Sequence, residues 1–519
     1  MSETSLKTTV EWDTINWEQL ERRVYKIQKQ IYQASARGNV KVVHELQKVL
    51  MKSWSAKAIA TREVTQENQG KNTAGVDGVK ALSSSEKLKL VEELKLGSKP
   101  KPTRRVWIDK PGRKEKRPLG IPTMYDRVLQ YLAKMALEPE WEAKFEPNSY
   151  GFRPGRSCHD AIKAISEALE NKPKFVLDAD IAKCFDKINH QALLNKLSTY
   201  PKLRRQIKAW LKAGFNDKNV LYPTKEGTPQ GGVISPLLAN IALHGMEEML
   251  QEYISELPSK QKSEGNETEQ ISVIRYADDF VIIHEDVEVI KQCQEKLVEW
   301  LKGIGLELSL SKTKIVHTLE QYQTEKPEFD FLGFNIKHTK VESENNSRMD
   351  WNKEILSYKT NITPSEKAVK NHYEKISNTI EESLSETQVN LIIKLNPIIK
   401  GWCNYFSTVD SREILSKIQN QINYELHRWA KHQHPKNTEE WITKEYWHTI
   451  QGDNWEFAAM MNNKFIKLYK HLDAQIVSHV KVKGEASPFD GNKEYWKFRK
   501  QRTPKANSQK SYSSQKTNK

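Results

Sequence analysis

Cysteine is scarce in this chain: there are four in 519 residues, Cys158, Cys184, Cys293 and Cys403, and none stands in a CxxC pair. That spacing excludes a zinc ribbon and offers no disulfide framework, so no zinc and a reducing setting are expected. Long apolar runs are missing too. No stretch approaches the roughly eighteen apolar residues of a membrane-spanning helix, so no membrane partner is expected. The opening MSETSLKTTVEWD has no apolar h-region and carries acidic residues, which argues against a secretory leader and an organellar transit peptide. Acidic residues are in deficit, 67 Asp and Glu against 82 Lys and Arg, for a net charge of +15. A surplus of that size suits a polyanionic partner, because each Lys or Arg set on a phosphate releases counterions; simple solubility would use it equally well.

A chain of this length exceeds one compact core and predicts three or four structural units. Trp17, Leu20, Val24, Ile27 and Ile31 recur at helical spacing, and beyond Gly38-Asn39 a second helical run continues to Ala60. Residues 103–345 alternate short β-rich runs with helical ones, an α+β texture broken by the polar stretch 258–270. The pattern turns almost wholly helical over 363–430, opening on the capping signal of Thr363, Pro364 and Glu366. An aromatic-rich basic segment follows, and the end is a polar, low-complexity tail. Five regions are expected: 1–80, 81–345, 355–435, 436–502 and a disordered 503–519.

The chemistry concentrates in two segments. In ISVIRYADDFVIIHE (271–285) two apolar β-runs flank adjacent carboxylates, Asp278 and Asp279, at a hairpin turn. In FVLDADIAKCFDKINH (175–190) an apolar strand ends on Asp180. Two Mg²⁺ ions about 4 Å apart need carboxylates converging from different strands, and neighbouring strands of one sheet would supply them. An Asp-Asp pair in a turn is also a common solvated Asx motif. Charges beside an apolar sheet, however, are costly unless a metal or partner compensates.

YADDF resembles the central palm motif of reverse transcriptases, and DADIAKCFD resembles the motif that supplies their other metal-binding aspartate. The resemblance implies that Asp180 and Asp278 hold two Mg²⁺ ions with Asp279 assisting. It also implies that Phe185 crowds the sugar 2′ carbon to select deoxynucleotides, although an ordinary core Phe fits that position as well. KEGTPQGGVISPLLANIALHGME (225–247) is similar to the segment in which Gln230 and Gly231 line the incoming nucleotide. RRVWIDKPGRKEKRPLGIPTMYDRVLQ (104–130) resembles the fingers motif, where Lys110 and Arg117 would hold the triphosphate. LELSLSKTKIVH (306–317) and EFDFLGFNI (328–336) look like the lysine-bearing palm strand and the primer-gripping hairpin, with Lys312, Leu332 and Gly333 in those roles. The implied fold is α+β, a right-hand polymerase with fingers and palm, a helical N-terminal extension, a helical thumb and a small C-terminal region.

The flanks narrow the family. KAIATREVTQENQGKNTAGVDGV (57–79) and YGFRPGRSCHDAI (150–162) resemble the reverse transcriptases encoded within group II introns. In the second string Arg153 and Arg156 fit template-phosphate contacts and a structural turn equally. LNPIIKGWCNYF (395–406) looks like the thumb or maturase domain of those proteins: aromatics pack inside while Lys394, Lys400, Arg428 and Lys431 face intron RNA. HVKVKGEASPFDGNKEYWKFRKQR (479–502) resembles their DNA-binding region, with basic and aromatic residues interleaved for backbone contact and base stacking. The sequence lacks the paired CxxC motifs of the HNH endonuclease that many relatives carry, so no such nuclease is expected and another primer source is implied. The expected protein binds its intron RNA, assists splicing, and copies that RNA into cDNA from dNTPs on a DNA primer at a target site, in a bacterial cytoplasm. The other expectations are a splicing factor without polymerase activity and a reverse transcriptase recruited to different work. Oligomeric state is left open.

Overall fold

The computed structural model describes residues 11–109, 116–169, 172–256, 271–340 and 358–501. Lys110, the polar stretch 258–270 and the tail 503–519 lie outside the described residues. The chain divides into two compact units. The first comprises 1–161, 175–315 and 482–497, and the second 162–174, 316–481 and 498–519.

In the first unit the expected N-terminal helices form as Trp17–Ala36, Val40–Lys52 and Trp54–Arg62. Each starts on a side-chain cap: Asn16, Asn39 and Ser53 accept the backbone N–H of Gln19, Val42 and Ala56. Their apolar stripe, including Val24, Ile31, Leu50 and Ala56, joins one buried core with Val128, Leu129 and Leu132 of the helix Met124–Glu142. The strands are β1 (Thr103–Asp109), β2 (Lys116–Ile121), β3 (Phe175–Asp180), β4 (Phe215–Asp217), β5 (Val220–Tyr222), β6 (Ser272–Tyr276) and β7 (Asp279–His284). With β8 (Lys314–His317), within which the unit boundary falls, they make two sheets, β2–β1–β4–β5 and β6–β7–β3–β8. The central strands β3 and β7 read as near-continuous apolar runs because helix and core cover them: Val176, Leu177, Phe280, Val281 and Ile282 are all fully buried.

Residues 482–497 also pack into this unit. The Val482 N–H donates to Asp160 Oδ1 at 2.8 Å, and the Tyr25 hydroxyl donates to Pro488 O at 3.1 Å. Trp496 lies so close to Gly155 that a Cβ there would meet its ring at 2.6 Å. The segment 436–502, which reads as one basic-aromatic region in sequence, is thus divided. Its aromatic Trp496 donates Nε1 to Ser487 O at 3.0 Å within the fold.

The second unit carries β9 (Phe329–Phe331), β10 (Phe334–Lys340) and β11 (Tyr358–Pro364), ordered β11–β10–β9. Helices Glu366–Glu381, Gln388–Phe406, Arg412–Gln433 and Glu439–Tyr446 follow, then β12 (Trp447–Ile450), β13 (Asp453–Met461) and β14 (Lys464–Lys467). The first helix is capped by Ser365, whose side chain accepts the Ala368 N–H. Thr363 and Pro364 end the strand β11 instead, because each pairs across to β10. The helices close on a core of Ile376, Leu391, Leu395, Ile399, Ile422 and Leu426, and the buried Trp429 Nε1 donates to Ser383 O at 2.9 Å.

Within that core His372 and His471 meet Nε2 to Nε2 at 2.8 Å, with Trp402 stacked on His372 at 4.6 Å between centroids. Burial, then the nearby His471 and Lys375, hold His372 down at about 3; burial holds His471 at about 4. Both imidazoles are therefore neutral when folded and take up protons on unfolding below their ordinary value of 6.5. Their share of stability is complete above that value and is lost as pH falls through it toward the folded values. The thermal midpoint of the full chain is expected to fall between pH 7 and pH 4 more steeply than that of His372→Asn, by roughly one proton's linkage. Parallel pH profiles for the two proteins would refute the assignment.

Candidate active site

The carboxylates of the two motifs meet at one end of the central sheet. β3 and β7 run antiparallel with Asp180 opposite Asp279, and β6 pairs with β7 so that Tyr276 also lies opposite Asp279. The turn between them puts Ala277 at φ 62°, and the Ile181 N–H donates to Asp278 O at 3.3 Å. Lys312, in the turn just before β8, places Nζ 2.6 Å from Asp180 Oδ2. Lost hydration, then the Asp180 charge, raise Asp278 above the usual carboxylate range. Asp279 is reached by solvent but sits in an atom-dense corner. Lost hydration there, then the negative charges of Asp278 and Asp180, push it up to about 7. No three His, Cys, Asp or Glu side chains among the described residues converge tightly enough to be a ready-made metal site. Even so, mutually repelling hard oxygens with an ammonium drawn onto one of them are the donor set a hard divalent cation takes.

The same unit holds a cavity of about 410 Å³, lined in part by Arg105, Pro118, Gly120, Asp186, Phe215 and Gln230. Gln230 Nε2 donates to Asp186 Oδ2 at 3.1 Å. Gly231, at φ 100°, lets the loop run against β2: a Cβ there would lie 3.0 Å from Gly120 O, and the Gly120 N–H donates to Gln230 O at 2.6 Å. Arg117, exposed on β2 opposite Ile108, extends its positive charge to both Asp186 and Asp278. Phe185 is half-buried, edge-on to Phe152 at 6.1 Å. Arg105 was not singled out in the sequence. Its guanidinium stacks on Phe215 at 3.7 Å, and its Nε is buried with no hydrogen-bond partner among the described residues. Strand alternation was the available signal: Arg104 donates to Ala74 O, so its neighbour Arg105 points the other way, into the cavity.

Residues 108–336 match the family model for reverse transcriptase (RNA-dependent DNA polymerase), residues 12–94 the N-terminal domain of reverse transcriptase, and residues 369–447 the group II intron maturase-specific domain. Protein YkfC of Escherichia coli (strain K12) is 35% identical over 322 residues, covering 55% of this chain and 82% of that protein. Group II intron-encoded protein LtrA of Lactococcus lactis subsp. cremoris is 29% identical over 426 residues, covering 69% and 68%. Maturase-like protein 1 of Euglena gracilis is 26% identical over 416 residues, covering 77% and 78%.

The chain belongs to the group II intron reverse transcriptases and maturases.

It is therefore an RNA-directed DNA polymerase of a family that works with divalent metal, joined to a maturase domain that implies nucleic-acid partners including intron RNA. No helix among the described residues is long and apolar enough to cross a membrane.

Of the two readings of Arg153 and Arg156, the structure corrects the template contact. Both are buried, 1% and 2% exposed, in the interior of this reverse transcriptase. Arg153 Nε and Nη2 grip Glu142 at 2.9 and 3.1 Å, and its Nη1 donates to Glu146 O and Ser149 O. Arg156 donates to Pro147 O at 2.6 Å and to Gly484 O, and burial depresses it to about 10. Guanidinium carries enough donors to satisfy loop carbonyls from inside, which a surface-minded reading of Arg overlooks. In the second unit Leu332 and Gly333 form the β9–β10 turn, both at positive φ, and the Tyr405 hydroxyl donates to Leu332 O at 2.8 Å.

The four maturase-domain cations all lie at the surface in local pairs. Lys394 is with Glu386, Lys400 over the Tyr469 ring at 5.5 Å, Arg428 with Glu425 at 3.1 Å, and Lys431 with Glu439 at 3.6 Å. The Lys394 and Lys431 ion pairs are at least partly exposed and so contribute little, whereas Glu425, the partner of Arg428, is buried. Arg153→Ala would strand the buried Glu142 carboxylate and is expected to lower stability by about 3–5 kcal/mol. Denaturant unfolding measures this; a variant of native stability that has lost template affinity would restore the phosphate contact.

Proposed function

We propose that the chain copies intron RNA into DNA at the β3–β7 end of the central sheet, within a right-hand polymerase framework. In this reading residues 81–345 serve as fingers and palm, 1–80 as the N-terminal extension and 355–435 as thumb and maturase domain. Residues 436–502 would contribute to DNA binding. Asp180 and Asp278, with Asp279, would hold two Mg²⁺ ions, which when bound make the primer 3′-hydroxyl a better nucleophile and neutralise the leaving pyrophosphate. Lys312 then gives up Asp180 and is free to meet the primer strand. Arg117 and Lys110 absorb triphosphate charge from the fingers hairpin, Gln230 and Gly231 form the wall against the nucleotide, and Phe185 sits at the sugar. Leu332 and Gly333 hold the primer at the second unit's hairpin, while Lys394, Lys400, Arg428 and Lys431 face intron RNA. The partners are that RNA, a DNA target and primer, and dNTPs, in a bacterial cytoplasm.

The observation that carries this reading is the strand register. Asp180 stands opposite Asp279, one residue from Asp278, and the Arg117 charge reaches both Asp278 and Asp186, which lines the cavity with Gln230 and Arg105. Chemistry of this type needs alignment and charge more than any covalent step by the protein. Primer extension on an RNA template tests it. Asp278→Asn is expected to lower extension by about 10²-fold or more while leaving RNA binding intact. A native chain that promotes splicing but cannot extend a primer would establish the splicing-only alternative. Phe185→Val, which opens space at the sugar, is expected to reduce the preference for dNTP over rNTP by roughly 10–200-fold. Unchanged discrimination would return Phe185 to a plain core role.

A further inference from the structure

Behind the carboxylate turn lies a buried polar assembly that none of the site roles above uses. Ala277 stands between Tyr276 and Asp278 in the left-handed region, a conformation unfavourable for an L residue with a Cβ. The residue two positions earlier bonds to its carbonyl. Arg275 is 2% exposed, and its Nη1 donates both to Ala277 O at 3.2 Å and to Asn240 Oδ1 at 3.1 Å. Asn240, on the helix Ser235–Leu243, donates Nδ2 to Gly151 O at 2.7 Å. Gly151 lies flat against the turn, where a Cβ would come within 2.4 Å of Ala277 N. The Arg275 backbone is tied to the same loop on both sides: its N–H donates to Asn148 O at 2.9 Å, and its carbonyl accepts the Tyr150 N–H at 2.8 Å. Nη2 faces Glu146 at 3.8 Å, and Glu146 Oε1 in turn accepts the N–H groups of Gly245 and Glu247 at 2.9 and 2.8 Å.

We infer that Arg275 is a positioning residue: its guanidinium, acting through Ala277 O and Asn240, fixes the turn that presents Asp278 over the end of β3. The inference rests on the reading of Asp180 and Asp278 as the cation-holding pair. Arg275 is buried behind the hairpin and touches no reacting atom. A planar guanidinium serves the turn carbonyl and the Asn240 carbonyl in one fixed geometry, which an ammonium on a flexible stem does not reproduce. The plainer alternative makes Arg275 only a counterion for Glu146. Asn240 separates the two, since removing its amide breaks the link to Gly151 and leaves the Arg275–Glu146 pair in place.

The experiment uses the full chain with an RNA template, comparing Arg275→Lys, Asn240→Ala and Asp278→Asn. Each is measured three ways: single-turnover extension, thermal midpoint, and Mn²⁺ binding by electron paramagnetic resonance on a dideoxy-terminated primer. Arg275→Lys and Asn240→Ala are expected to slow extension by ~10–100-fold, as sub-ångström to ångström misplacement of a carboxylate does, with the KM for dNTP and primer–template affinity within about twofold. Mn²⁺ binding should weaken in both. Adding Ala277→Gly to Arg275→Lys should recover roughly fivefold of the lost rate, because glycine takes the left-handed turn without being held there. A counterion role predicts no such rescue and a native rate for Asn240→Ala. Should Arg275→Lys fail to fold, Asn240→Ala decides. Native rate and native Mn²⁺ affinity in Asn240→Ala, with Asp278→Asn inactive, would overturn the positioning role and leave the active-site reading standing. Extension by Asp278→Asn would overturn both.

Discussion

The pairing of β3 with β7 is the constraint from which the site follows. Val176, Leu177, Phe280, Val281 and Ile282 are fully buried along it, each contributing about 1.5–3 kcal/mol of apolar burial. A slip in register would leave buried apolar residues unpaired at the strand ends and carry Asp180 away from the YADD turn. The stability of the sheet and the placement of the carboxylates are therefore one fact. The apolar interior fixes the register, and the register brings three negative groups together at the solvent-facing end. Lost hydration first, and after it their mutual repulsion, raises Asp278 and Asp279.

Tight backbone approaches extend that constraint outward. Gly151 against Ala277, Gly231 against Gly120 and Gly227 against Asp186 are places where a side chain would collide with main chain. These glycines let the loops of the first unit close around the carboxylate turn and the cavity. Buried arginines then satisfy the carbonyls that such closely apposed loops leave unpaired: Arg153, Arg156 and Arg275 together serve carbonyls of residues 146, 147, 149, 277 and 484. The basic character that suits a polyanionic partner is thus only partly surface charge. Some of it is internal scaffolding.

The second unit solves a different problem. Its helices close around an aliphatic core, with polar anchors at defined points: Trp429 to Ser383, Asn396 to the backbone of 467 and 469, and the His372–His471 pair. The cations proposed to meet RNA stay at the surface, Lys394, Arg428 and Lys431 beside carboxylates and Lys400 over the Tyr469 ring.

Much of this was legible in the chain itself. The helical periodicity of the N-terminal region, the apolar strands ending on Asp180 and Asp278, the helical texture beyond Ser365 and the ordered motifs of a group II intron reverse transcriptase are local patterns, and local patterns survive in one dimension. Side chains whose role depends on which way they face did not. Arg153 and Arg156 fitted a template-phosphate contact and a structural turn equally, and are interior. Arg105 read as one of many basic residues and lines the cavity. Residues 482–497 read as part of a continuous basic-aromatic region, yet they pack with residues more than three hundred positions earlier, as Val482 does with Asp160. By itself the sequence determined the family, the chemistry-bearing residues and the elements that carry them, because these depend on composition and spacing along the chain. Tertiary structure alone decided which charges are buried, which face the cavity, and how the YADD turn is held, because burial and hydrogen-bond partners come from segments the chain brings together only when it folds.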